Sequence, residues 1–330
     1  MSNTKTLRRR DMDTDVIQTS KLYIKKDSKE HRYKKNLKLI LKYKYMYMML
    51  IPLLIWYVIF CYVPMYGITM AFQDYTMSKG FFNSPFVGLK HFKELFGEED
   101  FWRAFWNTCI IAVYRILTQF PIPIVIALLL NEVRHHKFRK AVQTIIYLPH
   151  FISWVIVASI FITFFSPETG ILAAFFKDGA TDLLTNPAAF RPVLILTDIW
   201  KEAGFATVIY VAAMASINTE HYEAGVMDGA GRWSLMWNVT IPGIRNVILI
   251  MFILIIGRVL TWGFDQVYNF YNPMVYSTGD ILDTYIFRTA LGDNKFSFAA
   301  AAGILKSVIC AVLLIVSNRI VKAFGQEGVY

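Results

Sequence analysis

The chain has 330 residues, 55% hydrophobic and 16% aromatic, with 34 Lys and Arg against 24 Asp and Glu, a formal net charge of +10. Its mean hydropathy is +0.41, and a soluble domain is only about 45–50% apolar even with glycine counted. Those values exclude an ordinary soluble domain and point to a polytopic membrane protein.

Residues 1–44 hold 14 Lys and Arg against 5 Asp and Glu. Residues 1–20 read as a solvated tail, and 21–44 as a basic amphipathic helix laid on membrane lipid through Tyr23, Ile24, Leu37 and Ile40. Arg8-Arg9-Arg10 and Lys34-Lys35 are clustered, but no aromatic-interleaved globular module accompanies them, so no nucleic acid is expected. The first apolar run begins near Tyr45. It is too long for a signal-peptide core and lacks a small-residue cleavage site, so no cleavable signal is expected.

Six stretches can cross about 30 Å of hydrocarbon at about 1.5 Å per residue: 46–70, 105–130, 142–165, 192–217, 243–264 and 298–320. The expected fold is all-α, a membrane protein with six transmembrane helices. Residues 1–44 form the tail and 45–330 the membrane domain, with a first span at 46–70 and a five-helix core at about 105–320. Loop 218–245 lies between the third and fourth core helices. Counting Lys and Arg in the tail, in 131–140, in 218–245 and at the C-terminal end from Arg319 gives 22 on the side shared by both termini and that loop, and 8 in the three opposite loops. The positive-inside rule therefore makes both termini and the loop cytoplasmic.

Loop 218–245 is the most informative stretch. It contains Glu223 to Arg245, EAGVMDGAGRWSLMWNVTIPGIR, polar and glycine-punctuated between two apolar spans. Thr219 is expected to cap a short helix, with Glu220 and Glu223 near its positive end. Tyr222, Ala224, Val226 and Met227 recur at helical spacing as a stripe for another protein, and Gly229 and Gly231 supply the angles that end the helix. Pro242 is placed to open the next span. A small helix rigidly joined to a spanning helix can carry a push from a soluble partner into the membrane.

The pattern E-A-G-x-x-D-G-A-x-x-x-W, closed by Ile241-Pro242, resembles the EAA loop of the membrane subunits of binding-protein-dependent ABC importers. Gly225 stands where that family more often has Ala, and Ile241-Pro242-Gly243 lacks a second downstream Pro. Phe86-Val87-Gly88-Leu89, Phe92, Leu95-Phe96, Phe101, Phe105 and Asn107-Thr108 resemble the approach to the first core helix in the sugar-importing branch. Phe264-Asp265-Gln266-Val267-Tyr268, Tyr271-Asn272-Pro273 and Leu282-Asp283-Thr284-Tyr285-Ile286 resemble the LplB-like polysaccharide and oligosaccharide permeases. The resemblance covers about 40 to 323. It implies a type I importer permease in a bacterial cytoplasmic membrane, paired with a second, different permease, two ATPase subunits and an extracellular solute-binding protein. It also implies an oligosaccharide cargo, ATP and magnesium on the ATPase, and no cofactor on this chain. Glu223, Ala224, Gly225, Met227, Asp228, Gly229 and Ala230 are the implied ATPase-coupling residues.

Ionisable residues inside spans are costly and normally face a cavity or a partner. Arg115, Lys201, Arg258 and Lys306 fall there, with Glu202 beside Lys201 and Asp198 one turn earlier. Asp198, Lys201 and Glu202 can neutralise one another at helical spacing or touch cargo, and both readings stay open. Sugars need apolar faces for stacking and polar edges for hydroxyls. Trp200 by Lys201, Trp262 by Asp265, and Tyr268 by Asn269 and Asn272 offer that mixture, while Trp154 reads as packing or belt. The carboxylates near Lys201 and Arg258 favour a neutral or weakly charged cargo.

No phosphate loop, CxxC, GxSxG or HExxH pattern occurs, so an ATP-driven machine would bind its nucleotide on another chain. No metal site is expected: His135-His136 reads as a solvated loop pair, and His150 as a packing or cavity residue. Cys61, Cys109 and Cys310 read as small apolar residues, unpaired. An ion-coupled secondary transporter is the alternative, but it needs a proton or sodium relay, which the basic excess among intramembrane groups disfavours. A membrane enzyme needs an acid/base, nucleophile or metal constellation, and none is legible.

Overall fold

The computed structural model describes residues 42–166, 183–258 and 263–323. The expectations for Trp262 and for nearly all of the 1–44 tail lie outside the described residues. The described chain is helical almost throughout, and its one β-bridge joins Gln73 to Phe86. It divides into two units, residues 1–67 and 68–330. In the first, the helix Lys44–Tyr57 continues as a π-turn, Val58–Tyr62. That helix buries no residue. Apolar side chains all round are what a lipid-facing helix requires.

The second unit begins with the end of the 3-10 segment Val63–Phe72 and the short helices Gly80–Asn83 and Lys90–Gly97. Glu99–Gln119 follows, and Pro121 restarts the chain at the first turn of Pro121–Glu132, the one helical position where a missing N–H costs nothing. Together the two make one candidate span, Glu99–Glu132.

The expected span 142–165 is broken. His136–Phe151 and Trp154–Phe165 meet at 102°. Pro149 withdraws a donor from the turn Leu148–Phe151, and Ser153 caps the new helix by accepting the Ile156 N–H at 3.4 Å. The stretch expected at 192–217 is one helical run, Pro187–Asp198, the π-turn Ile199–Ala203 and Gly204–Ala215. Gly204 permits its approach to the third stretch, because a Cβ there would lie 1.9 Å from the Ile146 carbonyl oxygen.

Arg232–Gly243 and Arg245–Arg258 meet at 63°, so the stretch expected at 243–264 begins at a bend after Gly243, and Pro242 stands in the first turn of the short helix Ile241–Gly243 just before it. Phe296–Ala323 is the last helix. By length and apolarity, three described helices can cross a bilayer, or five if each bent pair is one span. The run Pro187 to Ala215 is not among them, because Asp198, Lys201 and Glu202 interrupt its apolar sequence.

Among the described residues, two of the buried clusters position the run from Pro187 to Ala215. Phe190, Val193, Leu194, Val267, Phe270 and Val275 pack the run from Pro187 against the residues after Gly263. Ala127, Tyr210, Met214 and Ile244 pack its other end against Pro121–Glu132 and the approach to the fifth span.

Candidate functional site

The loop helix is Thr219–Met227, and its cap is Asn218, not Thr219. The Asn218 carboxamide oxygen accepts the Glu220 N–H at 3.1 Å, which places Thr219 inside the first turn. At the other end Gly229 has φ +79°. Its N–H reaches the Val226 carbonyl at 3.0 Å, and the Ala230 N–H reaches the Gly225 carbonyl at 2.9 Å. This is a Schellman closure, which needs a left-handed residue where Gly229 stands. Gly231 takes no such angle, since at φ −75° it begins the helix Arg232–Leu235.

Gly225 has its own reason. A Cβ there would fall 2.6 Å from Leu235 Cδ2, so the helix lies flat on the following turn. The Tyr222 hydroxyl is 3.0 Å from Thr240 Oγ1, so Tyr222 faces the chain's own next segment instead of joining an outward stripe. Glu223, Ala224 and Met227 remain exposed, Met227 at 86%. Beside them runs a groove of about 850 Å³, bordered by Ala224, Asp228, Gly229, Ser234 and Asn238.

Within the helical bundle, Arg115 sits between three segments. It faces Asp198 at 3.5 Å, and Nη2 donates to Gln266 Oε1. Gln266 Nε2 in turn donates to the Leu194 carbonyl at 2.6 Å and to Thr197 Oγ1 at 2.8 Å. Gly263, at φ +113°, leaves room for the guanidinium. Lys201 donates to Glu202 Oε1 at 2.8 Å and to the His150 carbonyl at 2.9 Å. His150 Nδ1 lies 2.7 Å from Glu202 Oε2, and its ring stacks on Phe205 at 3.9 Å. His150, Glu202 and Phe205 line a cavity of about 400 Å³ together with Gln119, Tyr210 and Arg258. Lys306 donates to Asp283.

The segment after Gly263 is tied down by Asp280, which is fully buried. Its carboxylate accepts from Thr284 at 2.7 Å and from Arg288 at 3.1 and 2.6 Å. Asn107 Nδ2 donates to the Asp280 carbonyl at 3.0 Å, and Arg191 donates to Asn107 Oδ1 at 2.6 Å. Burial works against the Arg288 charge, but the Asp280 hydrogen bonds and charge outweigh it and push the guanidinium above its usual value.

The family model "Binding-protein-dependent transport system inner membrane component" matches residues 119–326. The chain belongs to that family. It is 43% identical over 305 residues to the polygalacturonan/rhamnogalacturonan transport system permease protein YteP of Bacillus subtilis, covering 92% of this chain and 95% of that one. It is 41% identical over 290 residues to Protein LplB of the same organism, covering 87% and 91%. A solved bacterial ABC transporter involved in import of the acidic polysaccharide alginate contains a chain with 40% identity and a TM-score of 0.82, covering 88% of this chain and all of that one. The permease is thus a transport-system membrane component of the LplB-like type.

The structure sorts the expected residues of the permease. Glu223, Ala224, Gly225, Met227, Asp228, Gly229 and Ala230 form one helix-and-turn. Of the expected pathway residues, Glu202 and Arg258 share the 400 Å³ cavity, while Arg115 and Lys201 are buried in contacts of their own. Asp198, Lys201 and Glu202 do not form a closed trio, because the π-turn Ile199–Ala203 rotates Asp198 onto Arg115 and leaves Lys201 to Glu202.

The aromatic beside Lys201 is Trp154, with the ammonium 5.2 Å from its ring centroid. Trp200, 43% exposed, meets Phe161 instead. Tyr268 is held in an aromatic group, stacked on Phe264 at 5.3 Å and edge-on to Phe287 at 5.0 Å. Asp265 is exposed, and its carbonyl accepts from Asn269 at 2.6 Å. Asn272 is structural: its oxygen caps Met274 and its amide donates to the Leu184 carbonyl at 3.1 Å. Gln119, Tyr210 and Gln266 escaped the sequence reading. A lone amide or phenol in an apolar stretch was the available signal, and it does not say which partner it meets.

Proposed function

We propose that the permease moves an oligosaccharide into the cytoplasm as one of two different membrane subunits of an ATP-driven importer. A pair of ATPase subunits and an extracellular solute-binding protein complete the assembly. ATP and magnesium act on the ATPases, and this chain makes and breaks no bonds. The reading includes six spans, both termini cytoplasmic, a tail at 1–44 and a membrane domain at 45–330. Closure of the ATPase dimer draws the docked loops together and opens the cavity to the outside, and hydrolysis reverses the motion.

One observation carries this reading: the Schellman-closed helix Thr219–Met227 lies on the turn that leads into the fifth span and turns Glu223, Ala224 and Met227 outward. A contact made there moves the helix and the span as one piece. The cavity of Gln119, His150, Glu202, Tyr210 and Arg258 supports a polar cargo, since it sets hydroxyl-binding groups beside the Phe205 ring. An acidic oligosaccharide is the cargo proposed here in place of the neutral reading, and the similarity to a transporter involved in the import of the acidic polysaccharide alginate supports it. Ion coupling is disfavoured because Lys201 holds Glu202 and Arg115 faces Asp198, which leaves these carboxylates poorly placed to relay cations.

The test is the complex reconstituted with its partner subunits. Glu223→Lys and Gly229→Leu are expected to insert and assemble but to lose substrate-stimulated ATPase and uptake. Normal coupled ATPase in both variants would refute the role of this loop. Matched neutral and acidic oligosaccharides in the wild-type complex decide the cargo.

A further inference from the structure

The segment between Phe72 and Lys90 is built as a rigid knuckle. Its base is closed by the Gln73–Phe86 bridge, with the Asp74 N–H on the Pro85 carbonyl at 2.9 Å and the Val87 N–H on the Phe72 carbonyl at 2.8 Å. Inside it, Ser84 donates to the Gly80 carbonyl at 2.6 Å and Gln73 Nε2 to the Phe81 carbonyl at 3.1 Å. The knuckle is clamped to the start of the last helix: Ser297 Oγ donates to the Gln73 carbonyl at 2.6 Å and accepts from the Tyr75 N–H at 2.9 Å. Tyr75 also meets Phe296 edge-on at 6.1 Å.

This rigid frame holds bulky apolar side chains outward, Met77 at 71%, Phe82 at 88% and Phe86 at 76% exposure. A large apolar tip on a fixed backbone marks a surface built to be covered. Its position names the cover. Phe72 ends the candidate span Lys44–Phe72, and the clamp at Phe296 and Ser297 begins the candidate span Phe296–Val316. Two span ends therefore bracket the knuckle at the level where hydrocarbon gives way to headgroups. Lys79, exposed between Met77 and Phe82, supplies a cation that can reach a lipid phosphate while its stem follows the apolar surface.

We propose that this knuckle is an interfacial anchor: Met77 and Phe86, with Phe82 beside them, enter the adjoining leaflet and fix the height of the last helix through the Ser297 clamp. The inference stands apart from the cargo and from the ATPase contact.

The experiment places a nitroxide spin label singly at Met77→Cys, Phe86→Cys and Asn83→Cys, with Cys61, Cys109 and Cys310 replaced by Ala. The complex is studied in nanodiscs with and without the binding protein. Collision with oxygen, which concentrates in lipid, is compared with collision with a water-soluble nickel chelate. The expected result is an oxygen-to-nickel ratio several-fold higher at 77 and 86 than at 83, unchanged by the binding protein. Nickel access at 77 and 86 equal to that at 83 would overturn the proposal. So would shielding from both reagents, or shielding that appears only with the binding protein, since either marks a protein contact. If one substitution fails to assemble, the other reads the same surface, and the Asn83 label reports whether the knuckle is folded.

Discussion

Arg288→Ala isolates the cost of stranding a buried carboxylate. Asp280 is fully buried, its side chain 1% exposed, whereas the Arg288 side chain is 24% exposed. Removing Arg288 takes away two of the three hydrogen bonds to Asp280 and leaves its charge with only Thr284. Breaking a buried pair from one side costs about 3–5 kcal/mol. Asp280→Ala removes the same pair from the other side, but Arg288 can turn to water and keeps the Tyr276 ring, 4.4 Å away. Its cost is that of a lost charged hydrogen-bonding group, about 1.5–3 kcal/mol. At roughly 2–4 °C per kcal/mol for a large domain, Tm should fall about 6–20 °C for Arg288→Ala and about 3–12 °C for Asp280→Ala. The double variant should be more stable than Arg288→Ala alone, because no uncompensated charge remains. Thermal unfolding of the purified complex in one detergent measures all three. A smaller loss for Arg288→Ala than for Asp280→Ala, or an additive double variant, would refute the reasoning.

Cysteine labelling from outside intact cells should modify Asn83→Cys but neither Arg134→Cys nor Gly231→Cys; labelling of the last two would reverse the orientation. Asp280→Cys should resist labelling because the position is fully buried. Gln266→Leu removes three hydrogen bonds, to Arg115, to the Leu194 carbonyl and to Thr197 Oγ1, and should cost about 1–3 kcal/mol. The exposed neighbour change Asp265→Asn should stay within about 0.5 kcal/mol, and equal Tm losses would sink that distinction. Alanine at Trp262 and Tyr268 together should lower uptake with ATP binding intact; unchanged uptake of every sugar removes both from the pathway.

The helical class, the family and the short helix of loop 218–245 with its glycine-closed end were legible in the sequence because each rests on local chemistry. Apolar runs of span length need only be counted. The residues E-A-G-x-x-D-G-A prescribe a helix that ends in a left-handed turn, and Gly229 meets that requirement within five residues of its partners. Even so, spacing alone does not fix the side chains that cap and support the helix. Asn218 and Thr219 are both good caps, and only the backbone path chooses between them. Helical spacing alone places Tyr222 in an outward stripe, whereas Thr240, eighteen positions on, holds its hydroxyl against the chain's own next segment.

Interior polar partnerships were decided by tertiary structure alone. Arg115, Asp198 and Gln266 come from segments far apart in the chain, and no periodicity encodes which pair will meet. The π-turn Ile199–Ala203 and the 102° break after Phe151 rotate side chains away from the register that an ideal helix predicts, which is why Trp154 and not Trp200 faces Lys201. Composition and local motif determine that a chain enters a membrane and where it can be grasped. Which buried charge meets which partner depends on the packing of distant helices, because a desolvated ion pair is settled by a few tenths of a nanometre that only the assembled bundle sets.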